Sequence, residues 1–172
     1  QPQFMEALRE VTDEVFFVNN LYLTHTNGCR VKCKFCAFAR TGRQEGAYTW
    51  DIGELVAHAV GVHERERYDE IHMVGGEHPH IGYEYYPDVT RALHEALPAV
   101  HLKLFTASEI HHMTKLSGKT HEAILRELKD AGLGSLPGGG AEVFADRVRR
   151  LVAPGKEHPD QWLETHRIAH GM

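Results

Sequence analysis

The pattern of apolar and polar positions along the chain switches repeatedly between strand-like and helix-like periods. Short apolar-rich runs predict strands, and longer runs with apolar residues three and four positions apart predict helices. Strands that alternate with helices are typical of a parallel sheet built from βαβ units. The predicted elements are, in chain order, the strand Val15–Thr24, the helix Asp51–Glu64, the strand Glu70–Val74, the helix Pro87–Leu97, the strand His101–Thr106, the helix Thr120–Ala131, the strand Leu133–Leu136 and the helix Asp160–Ala169.

The residues with distinctive chemistry follow the predicted strands. Cysteines come after the first strand, GGE after the second, TASE after the third and PGGG after the fourth. An α/β barrel places its active site at these strand ends, whereas a doubly wound sheet uses them only around its switch point. We therefore predict an α/β fold, a partial TIM-like (β/α) barrel of parallel strands. Because four units do not close a barrel, we expect residues 1–172 to be one domain, the N-terminal part of a longer chain.

Composition narrows the class of protein. The chain has 172 residues, 42% hydrophobic and 25% charged, which is typical of a soluble globular domain. The formal net charge of -5 and the lack of a basic block do not indicate a nucleic-acid or membrane partner. No apolar run is long enough to span a bilayer. All three cysteines lie within eight positions, which favours a metal or cluster site in a reducing compartment, so we predict a cytoplasmic protein.

Those three cysteines are the sharpest chemical signal. Cys29, Cys33 and Cys36 have the spacing C-x3-C-x2-C on the loop after the first predicted strand. Thiolates are the usual iron–sulfur ligands, and three of them can hold three irons of a [4Fe-4S] cubane while the fourth iron stays open to substrate. Two alternatives remain open: a zinc site completed by His25 or His78, and three unrelated thiols. Zinc modules usually bring their ligands in two pairs, and the sequence has no second cysteine pair.

A run of two glycines and a glutamate follows the second predicted strand. Gly75 and Gly76 would let a ligand approach the backbone closely, and the Glu77 carboxylate suits an ammonium group. Alone, such a run is usually a turn, but beside the cysteine loop it indicates cofactor binding by all three residues. His78 comes next and is a candidate catalytic residue, as a substrate contact or a proton-transfer group, with a purely structural role as the alternative.

The two later strand ends carry weaker signals. Ser108 and Glu109 are placed at the end of the third strand, where Ser108 is a candidate cofactor-binding residue and helix capping is the alternative. Pro137–Gly140 could offer backbone amides to an anionic group, although a plain tight turn is equally consistent. Glu142, just beyond, is a candidate catalytic residue. We predict solvated positions for His58, His63, His94, His111 and His112, and an exposed charged helix face for Arg147, Arg149 and Arg150.

Several stretches together resemble the radical S-adenosylmethionine superfamily. Asn27–Arg40 (NGCRVKCKFCAFAR) is similar to the cluster loop of its menaquinone-pathway and deazaflavin-forming members, and the GGE-type run follows it. The resemblance narrows to the aminofutalosine synthases of the futalosine route to menaquinone through the stretches Val74–His80, Lys103–Ile110, Leu128–Phe144 and Trp162–His170. One departure is Glu77, where this subfamily leads us to expect Leu.

The resemblance implies a cofactor set and a reaction. It implies a [4Fe-4S] cluster on the three cysteines, Phe35 near the adenine of S-adenosylmethionine, and an electron donor such as flavodoxin or ferredoxin. The implied reaction adds the 5′-deoxyadenosyl radical to the small-molecule substrate 3-[(1-carboxyvinyl)oxy]benzoate and gives aminofutalosine, methionine and bicarbonate. Three alternatives remain open. The chain could belong to cyclic dehypoxanthine futalosine synthase or to a deazaflavin-forming radical enzyme, or it could be an inactive or zinc-binding fragment.

Overall fold

The sheet at the centre of the fold has three parallel strands. The structure, a computed structural model, describes residues 15–42 and 44–172. Its strands are β1 Asn20–Thr24, β2 Glu70–Val74 and β3 His101–Leu104, in the spatial order β1-β2-β3. The register pairs Asn20 with Glu70 and Glu70 with His101, so the strands begin level with one another. Their carboxyl ends therefore lie side by side along one edge of the sheet.

Helices connect and cover the strands. Parallel neighbours need a crossover connection, and the first two helices supply one between each pair of consecutive strands. No helix in the described part of the chain is both long and apolar enough to cross a membrane. The helices are α1 Ile52–Glu66, α2 Tyr85–Ala96, α3 Ala107–Ser117, α4 His121–Asp130, α5 Asp146–Val152 and α6 Pro159–His170.

The hydrophobic core lies between the sheet and its helices. Ile71 and Met73 of β2 are fully buried, and so is Leu104 of β3. Full burial of one such side chain stabilises the folded state by roughly 1.5–3 kcal/mol, so this layer holds the strands firmly in register. The helices contribute Leu55 and Ala59 from α1, Val89 and Leu93 from α2, and Ile124 and Leu128 from α4.

Most of the predicted elements are confirmed. β2 has the predicted bounds, and the Asp51 carboxylate caps α1 by accepting hydrogen bonds from two backbone N–H groups of the first turn. The first strand starts five residues later than predicted, at Asn20. The reason is that its partner β2 begins only at Glu70, so residues 15–19 have no strand to pair with and are exposed.

Two predictions at the later strand ends are wrong. The third strand stops at Leu104, because Phe105 has a positive φ of 60° and Thr106 caps the helix that begins at Ala107. The predicted fourth strand is reduced to one parallel bridge, between Lys103 and Ser135. Helix α3 was not predicted, whereas α5 contains Arg147, Arg149 and Arg150, for which a helix was predicted without bounds. The architecture is nevertheless the predicted partial TIM-like (β/α) barrel, with parallel strands and crossover helices.

Candidate functional site

A cavity of about 380 Å³ opens where the strands end. Its walls come from the loops after β1 and β2, the first turn of α3, and the segment 139–156. Parallel strands collect their carboxyl-terminal loops at one face, which is why segments distant in sequence meet there. The predicted site residues that line this cavity are Cys29, Cys33, Phe35, Cys36, Gly75, Gly76, Glu77, Ser108 and Glu142.

The cysteine loop is held by its backbone. Cys29 N donates to the Arg40 carbonyl oxygen at 3.0 Å, and Arg40 N donates to the Asn27 carbonyl oxygen at 2.8 Å, which closes the loop at its base. Lys34 N donates to the Val152 carbonyl oxygen at 2.7 Å and so joins the loop to α5. All three cysteines are free and at least partly accessible, with Cys36 exposed. The thiols therefore remain available as ligands.

Three free thiols that share one cavity are a donor set that suits an iron–sulfur cubane. Within residues 15–42 and 44–172, no three His, Cys, Asp or Glu side chains converge closely enough to hold one ion. Tetrahedral zinc needs all its ligands around one point, whereas in a cubane each thiolate binds a different iron. Neither of the two histidines proposed to complete a zinc site lines the cavity. His25 is fully buried, and His78 Nδ1 accepts hydrogen bonds from the backbone N–H groups of His80 and Ile81.

Only glycine fits at the two positions beneath the cysteine loop. A Cβ atom at Gly76 would overlap the Gly28 carbonyl oxygen and lie 2.8 Å from Cys29 Cβ. A Cβ atom at Gly75 would overlap the His25 ring. Gly76 N donates to the Thr26 carbonyl oxygen at 3.0 Å, which fixes the close approach. The double glycine thus forms a cradle against the loop and exposes backbone groups to the cavity.

Glu77 sits in a buried position next to this cradle. Its carboxylate is 3.4 Å from Arg30 Nη1 and 3.6 Å from His112 Nδ1. Burial, reinforced by the neighbouring charge of Glu157, raises the pKa of Glu77 to about 7, although nearby basic side chains oppose the rise. At neutral pH this carboxyl can therefore exist in either protonation state, so a cation close to it would favour the charged form.

Glu109 is a site residue to which the sequence assigned no firm role. One carboxylate oxygen accepts a hydrogen bond from Gly75 N at 2.9 Å, and the other accepts from Thr106 N and Thr106 Oγ1, both at 2.9 Å. It thereby ties the glycine cradle to the start of α3. His25 Nε2 lies 3.6 Å away. Burial raises the pKa of Glu109 to about 8 and lowers the pKa of His25 to about 4.

Ser108 and Arg149 belong to a second buried network. Ser108 is in the first turn of α3, and its Oγ donates to Glu157 Oε1 at 2.9 Å. Arg149 is 5% exposed, so its predicted place on a solvated helix face is wrong. Its guanidinium donates to the carbonyl oxygens of Ala141, Val143 and Glu157, and it lies 3.4 Å from the Glu157 carboxylate. This network seats the segment that forms the far wall of the cavity.

Glu142 and Lys156 form an ion pair on that far wall. Lys156 Nζ lies 3.1 Å from Glu142 Oε1, and both residues line the cavity. Burial raises the pKa of the Cys33 thiol, and the charge of Lys156 opposes that rise. A positive charge beside the cysteine loop favours the thiolate, which is the ligand form.

The remaining candidates are placed as follows. Phe35 is 51% exposed at the cavity, where a ligand could stack on it. His78 lies outside the lining and packs against Gly28, so its predicted catalytic role stays a prediction. The predicted solvation of His111 and His112 is wrong, because both are buried and His112 Nε2 lies 3.1 Å from the His78 carbonyl oxygen.

The parallel strands of this partial barrel end at a loop with three thiols, a glycine cradle and a cavity large enough for a ligand. This combination is typical of one class of barrel enzymes. The profile of the Radical SAM superfamily matches residues 23–172. The chain belongs to that superfamily, and it is an enzyme of this kind. The family uses a [4Fe-4S] cluster and S-adenosylmethionine, acts on small molecules and requires a reductant.

Curated relatives show which members of the superfamily have sequences similar to this chain. The chain is 45% identical over 163 residues to the aminodeoxyfutalosine synthase of Thermus thermophilus, covering 92% of this chain and 42% of that protein. It is 44% identical to the aminodeoxyfutalosine synthase of Streptomyces coelicolor, and the match covers 94% of this chain and 42% of that protein. It is 36% identical to the 5-amino-6-(D-ribitylamino)uracil–L-tyrosine 4-hydroxyphenyl transferase of Methanopyrus kandleri, covering 96% and 44%. The chain thus spans less than half the length of these relatives.

Solved structures agree on the fold. Methylornithine synthase (PylB) superposes with a TM-score of 0.72 at 18% identity, covering 98% of this chain and 47% of that one. The FeFe-hydrogenase maturase HydG of Carboxydothermus hydrogenoformans superposes with a TM-score of 0.69 at 18% identity, covering 95% of this chain and 36% of that one. At 18% sequence identity, these superpositions support the fold and nothing about function.

Proposed function

We propose that this chain carries the cluster-binding part of an aminofutalosine synthase. The complete enzyme would join the adenosyl group of S-adenosylmethionine to 3-[(1-carboxyvinyl)oxy]benzoate and release methionine and bicarbonate. The observation that carries the proposal is the meeting of three free thiols and a glycine cradle on one cavity. The choice of reaction is supported by the higher identity to the two synthases, 44–45%, than to the hydroxyphenyl transferase, 36%.

Cys29, Cys33 and Cys36 would hold the cluster, which supplies the electron that cleaves S-adenosylmethionine. The chain's own residues then bind and orient. The Gly75-Gly76 backbone and the Glu77 carboxylate would receive the methionine ammonium, and that cation would favour ionised Glu77. Phe35 would contact the adenine, and Ser108 would face the ribose. Glu142 would be a catalytic residue on the far wall of the cavity. An electron donor such as flavodoxin or ferredoxin and a cytoplasmic location complete the proposal.

The reaction is tested with anaerobically reconstituted, reduced, full-length protein. Incubation with S-adenosylmethionine and the carboxyvinyloxybenzoate should give an adenosylated product by mass spectrometry, with methionine in equal amount. The same protein with Cys33→Ala should release no methionine, because one iron loses its ligand. Absence of the adenosylated product from a protein that carries its cluster would reject the synthase assignment.

The hydroxyphenyl transferase is the second candidate, because that relative covers 96% of this chain at 36% identity. A parallel incubation with L-tyrosine and 5-amino-6-(D-ribitylamino)uracil separates the two reactions. A product in this incubation, and none with the benzoate, would favour the deazaflavin-forming alternative. A third incubation with dehypoxanthine futalosine tests the sibling enzyme of the menaquinone route.

A further inference from the structure

The charges that line the cavity are unevenly distributed. Three carboxylates line it, those of Glu77, Glu109 and Glu142. Lys156 is the one Lys, Arg or His side chain among the described lining residues. An anionic ligand that enters this cavity therefore meets three acidic side chains and a single basic one. We propose that Lys156 binds the carboxylate of a ligand in this cavity, an inference that rests on the proposed function and deepens it.

The position of Lys156 is set by the buried network beside it. Its neighbour Glu157 is 4% exposed and is held by Ser108 and Arg149. Arg149 also binds the carbonyl oxygen of Ala141, so one side chain anchors the backbone next to both members of the Glu142–Lys156 pair. The Lys156 side chain is only 11% exposed. A lysine fixed in this way loses little further freedom when it binds a ligand.

Lys156 lines the same cavity as the cysteine loop and the glycine cradle. A carboxylate bound at its Nζ would therefore share that cavity with both, close to where the proposed reaction takes place.

Glu142 is the partner that a ligand carboxylate would replace. It is the more exposed member of the pair, with 38% of its side chain accessible against 11% for Lys156. It can therefore turn to solvent without burying a charge. An exchange of one carboxylate for another keeps Lys156 paired throughout.

Two ligands of the proposed reaction carry carboxylates. S-adenosylmethionine has one on its methionine part, and the carboxyvinyloxybenzoate has two. The recognising chemistry is the same for all of them, a charge-assisted hydrogen bond from the ammonium group. Separate titrations of the two ligands distinguish the source.

The experiment is calorimetric titration of the reconstituted full-length protein with each ligand alone. We expect Lys156→Met to weaken the binding of one ligand about tenfold or more, the size of one charged hydrogen bond. Lys156→Arg should restore most of that affinity, because the charge remains. Glu142→Gln should tighten the same ligand severalfold, because the competing carboxylate is gone. Lys119→Met is the matched control, since it removes a lysine paired with Glu127 away from the cavity, and it should change neither affinity.

The outcomes separate this inference from the proposed function. A loss confined to one ligand identifies the carboxylate that Lys156 binds. Unchanged affinity for both ligands in Lys156→Met would overturn the inference, and so would a failure of Lys156→Arg to restore binding. If the wild-type protein binds S-adenosylmethionine but not the benzoate, the proposed function fails, while the first titration still decides the role of Lys156.

Discussion

The two sides of the cavity are built in opposite ways. The cysteine loop on one side is held by backbone hydrogen bonds, and its Phe35 and Cys36 side chains are exposed. The glycine cradle and the far wall rest instead on buried ionisable side chains, namely Glu109 under the cradle and the Arg149–Glu157 pair behind the far wall. The comparison teaches that the residues with recognisable chemistry are separate from the residues that set their geometry.

The two sides should therefore respond differently to substitution. Removing one partner of a buried charged contact leaves the other partner without water or a hydrogen bond, which is costly. A side chain on an exposed loop leaves nothing stranded. We expect changes on the buried side to unfold the protein and changes on the loop to remove its chemistry while the fold survives.

The largest effect is expected for Arg149→Met. It leaves the buried Glu157 carboxylate without its countercharge and three carbonyl groups without their donor, and breaking a buried pair in this way costs about 3–5 kcal/mol of unfolding free energy. Arg150→Met is the matched control on the same helix, because Arg150 makes only an exposed pair with Asp146 and should cost about 0–1 kcal/mol. Urea denaturation followed by circular dichroism measures both. Equal losses for the two variants would contradict the assigned burial.

A loss of similar size is expected for Glu109→Ala. Gly75 N and Thr106 N would lose their acceptor, at a cost of about 1–3 kcal/mol for each stranded group. Glu122→Ala is the control, because its carboxylate forms an exposed pair with Arg126, and we expect a change of about 0.5 kcal/mol. Thermal and urea unfolding report the difference. A Glu109 variant as stable as the control would contradict the role of Glu109 as the anchor of the glycine cradle.

These two residues also show where sequence reasoning stops. The cysteine spacing, the double glycine and β2 could be predicted, because thiolate chemistry, backbone access and apolar patterning are local properties. Arg149 could not be separated from Arg147 and Arg150, because its burial depends on carbonyl groups from other segments. Glu109 was placed at a strand end with helix capping as the alternative, and the Thr106–Glu109 capping box confirms that alternative.

An intermediate effect is expected for Gly76→Ala. The added methyl group must push against Gly28 and Cys29, and overpacking of this kind costs about 1–3 kcal/mol. It should also displace the cysteine loop and weaken S-adenosylmethionine binding. Gly138→Ala is the control, because an added Cβ there meets no atom within 4 Å. Calorimetric titration and urea unfolding of both variants test the cradle, and indistinguishable behaviour would count against it.

The smallest expected effect is the pH dependence of stability. The pKa values of Glu109 and Glu77 are raised in the folded state, to about 8 and about 7, so the folded protein binds more protons than the unfolded chain. Their contribution to stability is therefore fully present only below the ordinary glutamate pKa and is lost as pH rises toward 8. The histidines with lowered pKa values, among them His25 and His111 at about 4, act in the opposite direction, mainly below the ordinary histidine pKa of 6.5.

Between pH 6.5 and pH 8, the unfolding free energy should fall by on the order of 1 kcal/mol. Glu109→Gln should flatten that slope, because the titrating group is absent. Urea unfolding at several pH values measures it. A slope of the same size in Glu109→Gln would assign the pH dependence to other groups.

Electron paramagnetic resonance tests the cavity most directly. The full-length protein, reconstituted anaerobically with iron and sulfide and then reduced, is measured with and without S-adenosylmethionine. We predict a [4Fe-4S] signal whose g values shift when S-adenosylmethionine is added, and no such signal when Cys29, Cys33 or Cys36 is replaced by Ala. A colourless protein that holds one zinc ion, or a cluster signal that S-adenosylmethionine leaves unchanged, would contradict the assignment of this cavity as the cluster and ligand site.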